Sequence, residues 1–159
     1  MDSENLSSKE VSENQQFKIV PATWRDLNAL RYLEKITFPK DAWPLIDLVG
    51  VLTFPNVVRL KAMVGEEMAG FVAGDIRTKE QIAWIATISV LPEYRRQGIG
   101  KALLAACEAQ LPVPAVRLCV RASNNGAISL YEQTGYKRVG LWQRYYSDGE
   151  DAVVMEKKL

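Results

Sequence analysis

Two glycines, two arginines and a lysine crowd the run Val90-Leu91-Pro92-Glu93-Tyr94-Arg95-Arg96-Gln97-Gly98-Ile99-Gly100-Lys101-Ala102, where an apolar strand gives way to a helix. Gly98 and Gly100 let backbone N–H groups at the helix start turn toward a ligand with no side chain in the way. The helix dipole favours negative charge at that spot. Arg95, Arg96 and Lys101 add cations around it, as a diphosphate requires. The run is not G-x-x-x-x-G-K-[ST], and the third glycine of a dinucleotide fingerprint would fall at Leu103, so two familiar phosphate loops are excluded. A G-x-G after a strand also suits a plain tight turn. The preceding strand, Pro92 and the arginine pair favour the diphosphate reading.

A second set of candidates lies in Arg121-Ala122-Ser123-Asn124-Asn125-Gly126-Ala127-Ile128-Ser129-Leu130-Tyr131. With Asn124 at a helix start, Asn124, Ala127 or Ile128, and Tyr131 fall on one helical face. Taken alone, Tyr131 also suits a core tyrosine with a satisfied hydroxyl. Histidine is absent, which excludes Ser-His-Asp and Cys-His catalysis and removes the commonest metal ligand. Cys107 and Cys119 are too few for a disulfide framework or a structural zinc site, so no metal is expected and a reducing compartment fits.

The elements that must position these groups follow from periodicity. Phe17 to Pro21 reads as a strand. Thr23, with Asp26 three residues on, begins a helix whose apolar stripe is Leu27, Leu30, Tyr32, Leu33 and Ile36. A breaker-rich loop from Phe38 to Pro44 precedes a short helix over Leu45 to Leu52. Val58 to Val64 and Met68 to Ile76 flank a turn at Gly65-Glu66-Glu67, with Gly70 and Gly74 marking bulges or close approaches. Ile82 to Leu91 is a strand and Gly98 to Leu111 a helix. Ala115 to Arg121 alternates, with Val116, Leu118 and Val120 on one face and Arg117, Cys119 and Arg121 on the other. A helix from Asn125 to Thr134 stops at Gly135, a left-handed C′ residue. Tyr136 to Tyr145 and Ala152 to Lys158 close the chain around Ser147-Asp148-Gly149-Glu150. The order β-α-α-β-β-β-α-β-α-β-β predicts an α/β fold, a mixed sheet with helices on both faces. The strand–helix–strand unit from Ile82 to Arg121 makes its two strands parallel, with a ligand beyond their carboxyl ends.

Composition bounds the rest. A chain of 159 residues suits one domain over 17–159, with the polar, acidic stretch 1–16 expected as a disordered tail. Lys plus Arg number 20 against 19 for Asp plus Glu, so no broad positive field favours nucleic acid or a membrane surface. No apolar run approaches the roughly 20 residues that span a bilayer. Nothing at the start has the basic-then-apolar form of a signal peptide, and a cytoplasmic location is expected.

On these motifs the chain resembles the GNAT superfamily of acetyltransferases. Arg95 to Ala102 looks like the [QR]-x-x-G-x-[GA] signature that holds the diphosphate of coenzyme A. By that resemblance the co-substrate is acetyl-CoA. It is held by Arg95, Arg96, Gln97, Gly98, Ile99, Gly100 and Lys101, with Asn124 and Ala127 on pantetheine and backbone amides near Ile88 and Val90 on the thioester. The strand before the loop is expected to carry a bulge and to splay from the next parallel strand. Tyr131 is implied as general acid to the departing sulfur. The V-R-x-S-N run, the A-I-x-L-Y-E run and the ending Arg144-Tyr145-Tyr146-Ser147-Asp148-Gly149-Glu150-Asp151-Ala152 narrow the resemblance. They are similar to those of ribosomal-protein-alanine and archaeal N-terminal acetyltransferases. Phe38-Pro39 echoes their substrate loop. Tyr145 and Tyr146 suit clamping a peptide, although paired aromatics also serve as packing.

One position departs from that pattern. Cys119 stands where those enzymes carry a glutamate general base, and a neutral thiol is a poor base at pH 7. Three readings stay open. An N-terminal α-amine, with a pKa of roughly 7.7–8.0, needs little help, whereas a lysine amine at roughly 10.4 does. Another carboxylate, Glu34 or Glu150, or a water could act. Or Cys119 could itself accept the acyl group. The expected acceptor is a protein or peptide N-terminus and the expected state a monomer or homodimer. The alternatives are acetylation of a small amine (a polyamine, an aminoglycoside or an amino acid) and a non-catalytic acyl-CoA-binding module.

Overall fold

Thr23 opens the first helical segment by a reciprocal cap. Its N–H donates to Asp26 Oδ2 at 2.8 Å and its hydroxyl accepts from the Arg25 N–H at 3.3 Å. The computed structural model describes residues 16–159, so all of the expected tail except Gln16 lies outside the described residues. Strand β1 (Lys18–Pro21) leads through a 3₁₀ turn at Trp24–Asp26 into helix α1 (Leu27–Thr37), and α2 (Leu45–Thr53) follows. The chain continues as β2 (Val57–Val64), β3 (Glu67–Arg77), β4 (Ile82–Val90), α3 (Ile99–Ala109), β5 (Ala115–Arg121), α4 (Asn125–Gln133), β6 (Lys137–Trp142) and β7 (Ala152–Lys158). These strands form one seven-stranded sheet in the order β1-β2-β3-β4-β5-β7-β6, the mixed sheet that the element order implied.

Helices cover both faces. From Phe71 on, residues of β3 alternate between two buried clusters: Val72 joins Leu103 and Leu104 of α3, while Phe71 and Ala73 join Leu30 and Leu33 of α1 and Leu48 of α2. Within α1 the expected stripe needs correcting. Leu30 and Leu33 are buried, but Tyr32 and Ile36 are 57% and 44% exposed, and Glu34 takes the inner place at 1%. Tyr32 is two residues from Leu30, about 200° around the helix, so it faces away from the core.

The close-approach reading holds at both β3 glycines, and a bulge lies opposite Gly74 in the partner strand. A Cβ on Gly70 would sit 2.9 Å from both Leu103 Cδ1 and the Ser89 carbonyl, and one on Gly74 would sit 2.9 Å from Cys107 Sγ. These are close approaches that let α3 lie flat on the sheet. Ala73 opposes Thr87 while Gly74 opposes Ile85, which leaves Ala86 as an extra residue, a bulge in β4.

The sheet opens where the site needs it. β4 and β5 run parallel but pair only at Ala83↔Val116 and Trp84↔Arg117. Beyond those pairs the strands splay, while β5 stays paired with β7 from Ala115↔Lys158 to Arg121↔Ala152. The last strands depart from expectation. β6 stops at Trp142, not Tyr145, because Arg144 turns to a φ of +51°, outside the extended region, and its N–H donates to Asp151 Oδ1 at 2.9 Å. Tyr145 and Tyr146 therefore sit in the β6–β7 loop.

Candidate active site

The splay between β4 and β5 opens a cleft of about 1020 Å³ that runs from the start of α3 to the loop between α1 and α2. One wall is the phosphate-type turn. Gly98 has a φ of +82° with open space where a Cβ would lie, and it precedes the first turn of α3. The N–H groups of that turn have no intrahelical partner and carry the positive end of the dipole. Arg95, Arg96, Gly98, Ile99, Gly100 and Lys101 line the cleft; Gln97 does not. Ile99 is 1% exposed and anchors the turn in the core. Arg95 Nε donates to the Val90 carbonyl at 3.2 Å, tying the turn to the end of β4. This half fits a diphosphate: free amides, no obstructing side chain and three cations.

Along β4, Ile88 and Val90 line the cleft past the last β5 pair, so their backbone on that side is not taken up by a strand partner. A pantetheine-like chain, with alternating amides, can complete such an edge. Across from them lies α4. Asn124 caps this helix, its Oδ1 accepting the Ala127 N–H at 3.2 Å. Asn124, Ala127 and Tyr131 line the cleft, while Ile128 is buried in the core, which decides between Ala127 and Ile128.

Tyr131 is 7% exposed, with its ring edge-on to Tyr136 at 5.8 Å between centroids. Burial, and secondarily Cys119 nearby, push its phenol up to about 12. It stays protonated at neutral pH, as a proton donor must. Cys119 is half-buried on the cleft face of β5, opposite Val116, Leu118 and Val120, as the alternation implied. Burial raises its thiol, an effect that the nearby Tyr145 and Tyr146 side chains partly offset. A thiol raised in this way stays neutral at pH 7.

The far half is aromatic. Phe38, Pro39 and Trp43 from the α1–α2 loop line the cleft together with Tyr145 and Tyr146 from the β6–β7 loop. Tyr145 lines the cleft and also continues a ladder in which Trp84 meets Trp142 at 5.6 Å and Trp142 meets Tyr145 at 5.2 Å. Lining and packing are thus the same residue's work. Of the two other carboxylates considered as bases, Glu150 accepts from the Ser123 N–H at 3.0 Å, from the Ser123 hydroxyl and from Arg121 Nη1 at 3.1 Å. The Ser123 bonds and Arg121 hold its carboxyl below the ordinary glutamate range, which weakens it as a base. Glu34 is buried beneath the site on Thr87, and burial raises its carboxyl.

Sequence reasoning missed Trp43, Thr87, Ser89 and Asp41, all of which line the cleft. Trp43 had a local signal, an aromatic in the same loop as Phe38-Pro39. Asp41 had none, since its partner Arg121 is 80 residues away.

The model of the acetyltransferase (GNAT) family matches residues 24–136. An N-alpha-acetyltransferase of Sulfurisphaera tokodaii is 31% identical, covering 94% of this chain and 98% of its own length. The crystal structure of the ribosomal-protein-S18-alanine N-acetyltransferase from Escherichia coli superposes with a TM-score of 0.82 at 29% identity, over 90% of this chain and 94% of that one. Arabidopsis thaliana NAA60 in complex with acetyl-CoA superposes with a TM-score of 0.82 at 23% identity, over 91% of this chain and 99% of that one.

Proposed function

The chain belongs to the GNAT acetyltransferase family, and from that membership we propose that it moves an acetyl group from acetyl-CoA to the N-terminal α-amine of a protein or peptide. The observation that carries this reading is the meeting of Tyr131, Cys119, Tyr145 and Tyr146 where the cation-lined half of the cleft joins its aromatic half. The near full-length similarity to an N-alpha-acetyltransferase supports the choice of acceptor.

Arg95, Arg96, Lys101 and the first amides of α3 hold the diphosphate, and Asn124 and the β4 edge at Ile88 and Val90 hold the pantetheine and thioester. The neutral amine attacks the acetyl carbonyl. Backbone N–H groups of β4 stabilise the oxygen that gains charge. The carbon–sulfur bond breaks, Tyr131 gives its proton to the thiolate, and the amine proton passes to water, from which Tyr131 regains a proton. No strong base is needed, because on the order of a tenth of α-amines are already neutral at pH 7. Lysine amines, neutral only about once in a few thousand, react poorly in such a site.

A small polycationic acceptor is less well served. The one carboxylate among the described lining residues is Asp41, and both of its oxygens are held by Arg121. Phe38 and Pro39 against Tyr145 and Tyr146 instead suit an extended peptide. The test is mass spectrometry of peptides varied at their first two residues and incubated with acetyl-CoA. Acetyl on the α-amine supports the reading, and acetyl on lysine side chains alone contradicts it. Acetyl-CoA uptake with no thiol release on any amine would favour a binding module.

A further inference from the structure

Arg121 ends β5 two residues past Cys119, so the strand's period sends both side chains to the cleft face. Its guanidinium gathers parts of the chain that share no other element. Nε and Nη2 donate to the two oxygens of Asp41 at 2.9 and 2.8 Å, a bidentate pair reaching into the α1–α2 loop. Nη1 donates to Asp148 Oδ2 at 2.9 Å and Glu150 Oε2 at 3.1 Å, both in the β6–β7 loop. The guanidinium carbon lies 4.1 Å from the Tyr146 ring centroid, within range of a cation–π contact. The other oxygen of Glu150 takes the Ser123 N–H at 3.0 Å, at the entry to α4.

We propose that Arg121 is a positioning residue for the acceptor: one guanidinium fork clasps the Phe38–Trp43 loop to the Tyr145–Glu150 loop and so sets the width of the peptide groove. The inference rests on the acceptor assignment above for its kinetic consequence, but not for its structural one. The two loops have no strand or helix of their own to hold them across a groove. Ordinary surface ion pairs would not hold them either, being worth little. This pair differs in two respects. The Arg121 side chain is 18% exposed, and its donors are spread over three carboxylates from two loops in a geometry that fixes direction as well as distance. An ammonium, a point charge on a flexible stem, cannot reproduce that spread. Neither Asp41 nor Arg121 is needed for the grip on acetyl-CoA, which is made at the other half of the cleft.

The test compares wild type with Arg121→Lys, Arg121→Met and, as a milder change on a loop, Asp41→Asn. Hydrogen exchange reads the clasp without any substrate. Faster exchange in both 38–44 and 143–151, with α3 and β3 unchanged, is expected for all three variants. Unchanged exchange in the loop on the far side of the broken pair overturns the proposal, even if the acceptor assignment stands. With an acetylated peptide, KM for peptide is expected to rise about tenfold (~1.4 kcal/mol) while KM for acetyl-CoA stays within about twofold. Arg121→Lys should behave like Arg121→Met and not like wild type. Rescue by lysine, or equal rises in both KM values, would leave charge or general stability as the explanation and overturn the clasp. Should no peptide be acetylated at all, the acceptor assignment fails while the exchange result still decides the clasp.

Discussion

Glu34 Oε1, buried on α1, accepts a 2.9 Å hydrogen bond from the Thr87 hydroxyl on β4, and Glu34 Oε2 has no partner among the described residues. A carboxyl so placed keeps its proton more readily than one in water, since burial raises it against the smaller opposing effect of the Thr87 bond. Folding therefore costs more once the unfolded glutamate ionises. Stability from the protonated group is present below about pH 4.5 and is lost as pH rises through that value toward the higher folded one. Glu34→Gln keeps an acceptor for Thr87 and removes the ionisation. Its melting temperature relative to wild type should rise from pH 4 to pH 8. A difference that stays flat over that range would mean an unshifted carboxyl, and one that falls would mean that Glu34 is ionised and stabilised in the fold; either contradicts the raised carboxyl.

Tyr131→Phe keeps the edge-on contact with Tyr136 and removes only the hydroxyl. Turnover should fall by about 10²-fold or more, the scale of a general acid, while acetyl-CoA affinity stays within about twofold. Because the wild-type phenol sits at about 12, no alkaline loss of activity from this group should appear below pH 10. Stopped-time thiol release across pH 6–10 measures both, and an unchanged rate in the phenylalanine variant removes Tyr131 from the mechanism.

Cys119→Ala discriminates direct attack from transfer through the thiol. With its thiol raised by burial, Cys119 is neutral, and the variant should keep activity within about tenfold. Intact-protein mass spectrometry after exposure to acetyl-CoA alone should show no acetylated wild-type enzyme. Acetyl on Cys119, lost in the variant together with activity, would establish the two-step route instead.

Gly70→Ala tests the seat of α3. The added Cβ would lie 2.9 Å from the Ser89 carbonyl, a backbone atom that cannot rotate away, as well as from Leu103 Cδ1. Denaturant unfolding should show a loss of about 1–3 kcal/mol, the usual cost of overpacking. Gly100→Ala, whose nearest neighbour would be Leu130 Cδ2 at 3.7 Å, should cost far less.

Short-range chemistry is what the chain displays most openly. The Thr23–Asp26 cap, the left-handed Gly135, and the alternation that turns Cys119 and Arg121 to one face are each decided within a few residues, and each was readable. The bulge at Ala86 and the splay of β4 from β5 were expected only through family resemblance, because pairing depends on a partner strand that periodicity does not reveal. Longer-range contacts were not readable at all. Nothing local says that Asp41 meets Arg121 or that Arg144 ends β6 early, whereas the inward turn of Glu34 in place of Tyr32 follows from helical spacing and was misjudged because Glu34 is charged. The tyrosine pair illustrates the boundary: the sequence left it between clamping a peptide and packing, and its position on a loop and not a strand came from the Arg144 turn.

The account depends most on the α3 turn holding coenzyme A. Isothermal calorimetry with acetyl-CoA measures that directly, in parallel with the variant Arg96→Glu. One saturable site per chain is the expected result, weakened by added salt and by charge reversal at Arg96, as a cation-bound diphosphate requires. No heat of binding at millimolar acetyl-CoA, or binding indifferent to both salt and the reversal, would contradict it.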